Sequence, residues 1–236
     1  MNPSPPLNRR RFLGASLAAV GTPFFVSTSL AAAPAFRVLD TKVISHQPEY
    51  YHGWSTVARR SNGELWLVWS GGREAHVCPF GQVVAVTSRD HGATWTWPRV
   101  LLDCAIDDRD AGVLETAKGS LLVTTFSSLA YVPGLEQAEK DGKWPAAKLA
   151  RWQAAHRRLS PEAQQKELGQ WVLRSTDGGV TWSPRFSCVV NSPHGPVQLR
   201  AGRVLYAGKE LWTGDKRVGV SVSEYDGQNW RWLAEI

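Results

Sequence analysis

Ser88-Arg89-Asp90-His91-Gly92-Ala93-Thr94-Trp95 and Ser175-Thr176-Asp177-Gly178-Gly179-Val180-Thr181-Trp182 share the pattern Ser-x-Asp-x-Gly-x-Thr-Trp. A worn copy follows at Ser223-Glu224-Tyr225-Asp226-Gly227-Gln228-Asn229-Trp230. A pattern of this length, intact twice in one chain, marks a structural repeat. Its residue types specify a hairpin turn. The short Asp carboxylate accepts hydrogen bonds from nearby backbone N–H groups, Gly takes a positive φ, and Trp packs between neighbouring sheets. Ser88, Asp90, Gly92 and Trp95, with Ser175, Asp177, Gly179 and Trp182, are therefore structural residues.

A second repeat precedes each of these turns. Ser61-Asn62-Gly63 followed by Glu64 to Ser70 matches Ala117-Lys118-Gly119 followed by Ser120 to Phe126, with a shorter copy from Ala201 to Ala207. Each is a tight turn and then an apolar strand. The unit reads strand A, turn, strand B, connection, strand C, Asp turn, strand D. Four antiparallel strands make one propeller blade, so the chain is expected to be all-β. Ser88, Ser175 and Ser223 lie 87 and 48 residues apart, and the second spacing fits a blade of about 40–50 residues. The excess in the first sits at residues 131–168, rich in Ala, Gln, Lys and Arg and expected to be helical. Ser160-Pro161-Glu162 reads as a cap and first turn of a helix over 161–168, and another is expected over 146–158. Trp152 there either packs the helices onto the propeller or belongs to a lid. The expected blades cover about 51–105, 106–190 and 191–236.

Composition agrees. Among 236 residues, 21 Gly and 14 Pro punctuate short apolar runs, which favours many short strands. Half of the formal charge of +6 comes from Arg9, Arg10 and Arg11. Beyond them no Lys/Arg run exceeds two residues, which argues against a nucleic-acid partner. Asn8-Arg9-Arg10-Arg11-Phe12-Leu13-Gly14 resembles a twin-arginine export signal, and Ala31 to Ala35 offers small-residue cleavage sites. Residues 1–35 are thus expected to engage the twin-arginine export machinery, leaving a periplasmic or secreted protein. The stretch after the arginines contains Pro, Gly, Ser and Thr where a spanning helix needs about 20 apolar residues, so no membrane span is expected in the mature chain. Cys78, Cys104 and Cys188 have no zinc-type spacing; they allow at most one internal disulfide, or are simply buried.

The Asp turns resemble the Asp boxes, or BNR repeats, of the sialidase family. Ser192-Pro193-His194-Gly195-Pro196-Val197-Gln198-Leu199 is similar to a sialidase segment at the start of the third blade, and Asp107 to Glu115 resembles the start of the second. The resemblance implies a six-bladed sialidase-type β-propeller, of which about three blades are present, with a helical insertion in the second. It implies cleavage of terminal sialic acid by an Asp general acid and a Tyr nucleophile assisted by Glu, with three arginines on the sugar carboxylate and no cofactor. A neutral Tyr meets an anionic substrate without charge repulsion. Two departures stand out. Tyr51-His52-Gly53-Trp54 replaces the family's Tyr-Arg-Ile-Pro, so one clamp arginine is absent. The family nucleophile, its Glu partner and two arginines come from later blades, so the sequence is expected to be part of a longer coding region.

Topology gives a second route to the site. Turns A–B and C–D share one end of a blade; connections B–C and D–A share the other. The latter bring His52, Arg73, Glu74, His76, Asp108, Arg109, Asp110 and His194 to one mouth, suited to a polar, anionic sugar. Arg73 and Arg109 are suited to hold a carboxylate bidentately, unless Arg109 merely pairs with Asp108 or Asp110. Asp110 or Glu74 serves as general acid if desolvation raises its pKa. His52, His76 and His194 orient substrate or act as bases, His76 as a catalytic candidate, or they are hydrogen-bonded loop residues. Gln198, in the sialidase-like segment, is a further substrate-binding candidate. A metal on His52, His76, His194 and Asp108 has no ligand spacing to support it. The function expected first is release of a terminal sialic acid or related acidic sugar from a glycan. A propeller polysaccharide lyase acting on uronates and a non-catalytic glycan-binding propeller are the alternatives. Replacing Arg9 and Arg10 together by lysine should hold the precursor in the cytoplasm, read by fractionation; unimpaired export would contradict the signal.

Overall fold

The computed structural model describes residues 37–212 and 215–236; the expected export signal over 1–35 lies outside the described residues. Residues 43–236 form one compact unit. Three four-stranded antiparallel sheets follow one another along the chain, each with its strands in sequence order. The first contains β1 (Tyr51–Arg59), β2 (Leu65–Arg73), β3 (Gln82–Ser88) and β4 (Arg99–Leu102); the second contains β5 (Asp107–Glu115), β6 (Leu121–Ser128), β7 (Gly169–Ser175) and β8 (Phe186–Ser187). The third contains β9 (Val197–Gln198), β10 (Val204–Lys209), β11 (Val218–Ser223) and β12 (Arg231–Glu235). The chain is all-β, with partial propeller blades and few helices.

Period-two alternation explains how the sheets stack. On β6, Leu121 and Val123 face the first sheet, where they pack with Trp66, Val68 and Val83. Leu122, between them in sequence, faces the third sheet and packs with Val204 and Tyr206. Side chains of adjacent strand residues point to opposite faces, so an unbroken apolar run is what a sheet packed on both faces requires.

The Asp turns are closed by their own side chains. Asp90 Oδ1 accepts the Thr94 N–H at 2.9 Å and the Ser88 hydroxyl at 2.8 Å, while Oδ2 accepts the Thr94 hydroxyl at 2.6 Å. The Ser88 oxygen in turn accepts the Gly92 N–H at 2.8 Å. Asp177, Thr181, Ser175 and Gly179 repeat the arrangement. Gly92 and Gly179 take φ of 86° and 87°, open to glycine without strain. Gly179 also lies against the Trp66 ring of the preceding sheet, where an added Cβ would come within 2.3 Å of it. The third copy behaves differently. Asp226 reaches across to the second sheet, accepting the Ser120 hydroxyl at 2.6 Å and pairing with Arg174. Counted from Ser223, Tyr225 stands where Asp90 and Asp177 do, and Asp226 stands one residue on, with His91 and Gly178, so its carboxylate is placed to bond between sheets and not to close the turn.

Between β6 and β7 lie α1 (Val132–Asp141), α2 (Ala146–His156) and α3 (Pro161–Glu167). The Ser160 hydroxyl accepts the Ala163 N–H at 3.2 Å, capping α3. Helix α1 has no counterpart in the two helices expected from sequence. Its Val132-Pro133-Gly134 start reads as a turn, yet Pro is tolerated in a first helical turn, where its missing N–H has no partner to lose. Trp152 of α2 is buried with Tyr131, Leu135 and Cys78, so the helices pack onto the β2–β3 connection. Glu74 of that connection accepts Arg151 Nε at 2.6 Å and Trp152 Nε1 at 2.9 Å. Cys78, Cys104 and Cys188 are all free thiols. No helix among the described residues is long and apolar enough to cross a membrane.

Replacing Asp90 or Asp177 by Ala should lower Tm by a few degrees without changing intrinsic chemistry. The hydrogen bonds from Thr94 and Ser88 hold the Asp90 carboxyl down at about 2. A depressed pKa favours the folded state above the ordinary carboxyl value and loses that effect as pH falls towards about 2. The parent and Asp90→Ala should therefore converge in Tm under acid; an unchanged Tm with lost chemistry would overturn the structural role. Glu74→Gln should weaken the bond to Arg151 and speed hydrogen exchange across 131–168, at a global cost of no more than about 1 kcal/mol for so exposed a pair.

Candidate functional site

Two bulges shape the mouth. Along β1, Gly53 pairs with Ser70 and Thr56 with Val68, leaving Trp54 and Ser55 opposite Trp69 alone. Along β5, Arg109 pairs with Phe126 and Gly112 with Thr124, leaving Asp110 and Ala111 opposite Thr125 alone. The extra residue turns a side chain to a face that alternation would deny it. Trp54 and Asp110 occupy the same position in their strands, and both take left-handed φ, 52° and 50°. Asp tolerates that region; for Trp it costs about 1–3 kcal/mol, held by surrounding contacts. The Thr125 hydroxyl pins the second bulge by donating to the Arg109 carbonyl at 2.6 Å. Gly195 closes against it, since a Cβ on Gly112 would stand 2.4 Å from the Gly195 Cα. His194 is thereby brought beside Asp110.

Asp110 is 9% exposed, and its Oδ1 is buried without a hydrogen-bond partner. Burial raises its pKa, opposed by the charges of Arg109, Arg73, His76 and His194. Arg109 is equally buried. Its Cζ lies 5.2 Å from the centre of the Trp54 ring and 5.6 Å from that of Phe126. The alternative of an internal pair is met in part, though not by Asp108 or Asp110: the nearest carboxylate is Asp107, 3.9 Å from Nε. His76 and His194 are exposed, with the His76 ring 4.9 Å from Trp54.

Five candidates are placed otherwise than sequence suggested. Arg73 is wholly buried in an ion pair with Asp107 at 2.7 Å. Its N–H groups also donate to Ser70 Oγ, the Asp108 carbonyl and the His76 carbonyl at 2.9, 3.2 and 2.6 Å, so they are spent inside the protein. Glu74 is held below the ordinary carboxyl range by Arg151 and Trp152, against some burial, and stays ionised at neutral pH, unlike a general acid. His52 turns to the flank of the first sheet, with Nδ1 3.0 Å from Ser45 Oγ and a cavity of about 380 Å³ beside it. Gln198 lies at the opposite end of the blade. It accepts the Ala117 N–H at 2.6 Å and donates to the Gly202 carbonyl at 2.8 Å, tying two A–B turns together. Asp108 is also internal, accepting the Cys104 N–H and the Ser127 hydroxyl at 2.7 Å each. Among the described residues no group of three or more His, Cys, Asp or Glu side chains is arranged to hold a metal.

Sequence reasoning missed Trp54 and Phe126 as parts of the site. The signal was present: the offset that superposes Gly63 on Gly119 also superposes Trp54 on Asp110.

No protein-family model matches the chain, and no curated protein matches its sequence. Its fold is similar to that of a protein of unknown function from Dyadobacter fermentans DSM 18053, with TM-score 0.54 and 20% identity over 82% of this chain and 57% of that one. It is also similar to the Hadza microbial sialidase Hz136, with TM-score 0.54 and 16% identity over 76% of this chain and 36% of that one. The chain thus spans little more than half of the first of these proteins and about a third of the second. At these identities the likeness is one of fold: a sialidase-like propeller.

Proposed function

We propose that this chain belongs to a glycan-acting propeller enzyme that releases a terminal sialic acid or a related acidic sugar. The observation that carries the reading is the adjacency of Asp110 and Arg109 at the bulge, one a buried carboxyl with an unpartnered oxygen, the other a guanidinium whose buried Nε has no hydrogen-bond partner and lies 3.9 Å from the Asp107 carboxylate. Arg109 offers its N–H groups to the sugar carboxylate. Asp110, whose acid form burial favours, gives its proton to the glycosidic oxygen as the bond to the anomeric carbon breaks. The resulting carboxylate then takes a proton from the incoming water. His76 and His194, exposed on either side, contact the sugar hydroxyls. Export through the twin-arginine route, on the strength of Arg9 and Arg10, would place the enzyme where glycans are met.

A fluorogenic sialoside tests this. The full-length protein that includes the later blades should hydrolyse it, and Asp110→Asn in that protein should lose about 10²–10⁴-fold in rate, the usual worth of a positioned proton donor. Since Asp110 acts in its acid form, the rate should fall as pH rises through its raised pKa. A raised folded-state pKa favours folding at low pH and opposes it above that pKa, so Asp110→Asn should also hold or raise Tm at neutral pH. Unsaturated-product absorbance on uronate polymers would replace hydrolysis by lyase chemistry. Binding without turnover would leave a glycan-binding propeller.

A further inference from the structure

Arg73 and Arg109 stand side by side and are held by different means. Arg73 is fixed by oxygen acceptors: Asp107, Ser70 and the carbonyls of Asp108, His76 and Ala75. Arg109 has none of these. Its Nε is buried without a hydrogen-bond partner, and the nearest carboxylate oxygen, Asp107 Oδ2 at 3.9 Å, already accepts Arg73 at 2.9 Å. What Arg109 does have is two rings within cation–π range: Trp54 at 5.2 Å, which Arg73 shares at 5.7 Å, and Phe126 at 5.6 Å, which it does not share. Phe126 is its direct cross-strand partner on β6. Trp54 comes from the first sheet, turned there by the bulge and its left-handed φ.

We infer that Trp54 and Phe126 are positioning residues that orient the Arg109 guanidinium by ring contact, leaving its N–H donors unspent for a ligand carboxylate. The inference rests on the reading of Arg109 as the anion clamp. A hydrogen-bonded guanidinium is fixed but consumed, as Arg73 is. A guanidinium over aromatic faces is fixed in plane and still carries its donors, a geometry open to the flat, weakly hydrated Arg group and closed to a Lys point charge. The strained Trp54 backbone has a reason on this account: in regular register its ring would face elsewhere.

Calorimetric binding of two acid–amide pairs tests the inference: N-acetylneuraminic acid with its carboxamide, and glucuronic acid with glucuronamide. The parent should prefer one of the acids by about tenfold or more, the size of a charge-assisted hydrogen bond. Trp54→Leu and Phe126→Leu should keep the amide affinity and bring the preference to near parity, and Trp54→Phe, which restores a ring, should recover it. A general loss of structure would weaken both ligands alike. Folded leucine variants with the parent's preference would overturn the positioning role and leave the clamp standing; a parent without preference would overturn both. Should the leucine variants not fold, the Arg109 Nε–H resonance of the parent decides: an upfield ring-current displacement is expected, and its absence overturns the inference.

Discussion

Arg73 and Asp107 form an ion pair with both side chains fully shielded from water, joining the end of β2 to the start of β5. Taking two charges out of water is repaid only when geometry is good and the remaining donors are satisfied. Here the Arg73 N–H groups are met by Ser70 Oγ and by the carbonyls of Asp108 and His76. A single guanidinium therefore fixes three pieces of backbone: the last residues of β2, the β2–β3 connection that carries His76, and the strand that carries Arg109 and Asp110. Breaking such a pair strands a buried charge and costs about 3–5 kcal/mol. The mouth inherits its geometry from this contact.

The second shared constraint is that the middle sheet has two neighbours to satisfy. Trp66 of β2 receives Gly179 and the edge of Trp182 at 5.8 Å, from the Asp turn of the next sheet. Leu122 of β6 receives Gly227 from the turn after that. Glycine is needed at both turns because the ring or side chain of the preceding sheet occupies the space of a Cβ. The same residue type thus closes the turn locally and admits the neighbour. Arg60 strengthens the first junction by bonding Glu115 and Glu64 at 2.9 Å each.

Two of the seven non-glycine residues with positive φ among the described residues stand at the mouth. Trp54 and Asp110 break the ladders of β1 and β5 at equivalent points and take backbone conformations that L-residues avoid. Orphaned polar atoms gather there as well, Arg109 Nε and Asp110 Oδ1 among them. A protein interior leaves few polar groups unpaired, and here one oxygen of a buried acid and one nitrogen of a buried guanidinium are left so in adjacent residues.

The Asp turns, the four-strand unit, the helical insertion and the capped start of α3 were legible in the sequence because each depends on residues within a few positions of one another. Asp90 finds its donors at Ser88 and Thr94, so the motif carries its own structure. Blade topology, read from the same repeat, was enough to gather Arg109, Asp110, His76 and His194. Long-range contacts decided the rest. Glu74 went to Arg151 and Trp152, more than seventy residues away, and Gln198 to Ala117, eighty-one away. Asp226 left its own turn for Ser120 and Arg174. Whether an arginine binds a ligand or the protein is a matter of which acceptors surround it after packing. Two arginines alike in sequence, Arg73 and Arg109, were separated by that alone: the Trp54 ring lies within reach of both, but oxygen acceptors took up the N–H groups of Arg73 and left Arg109 Nε without one.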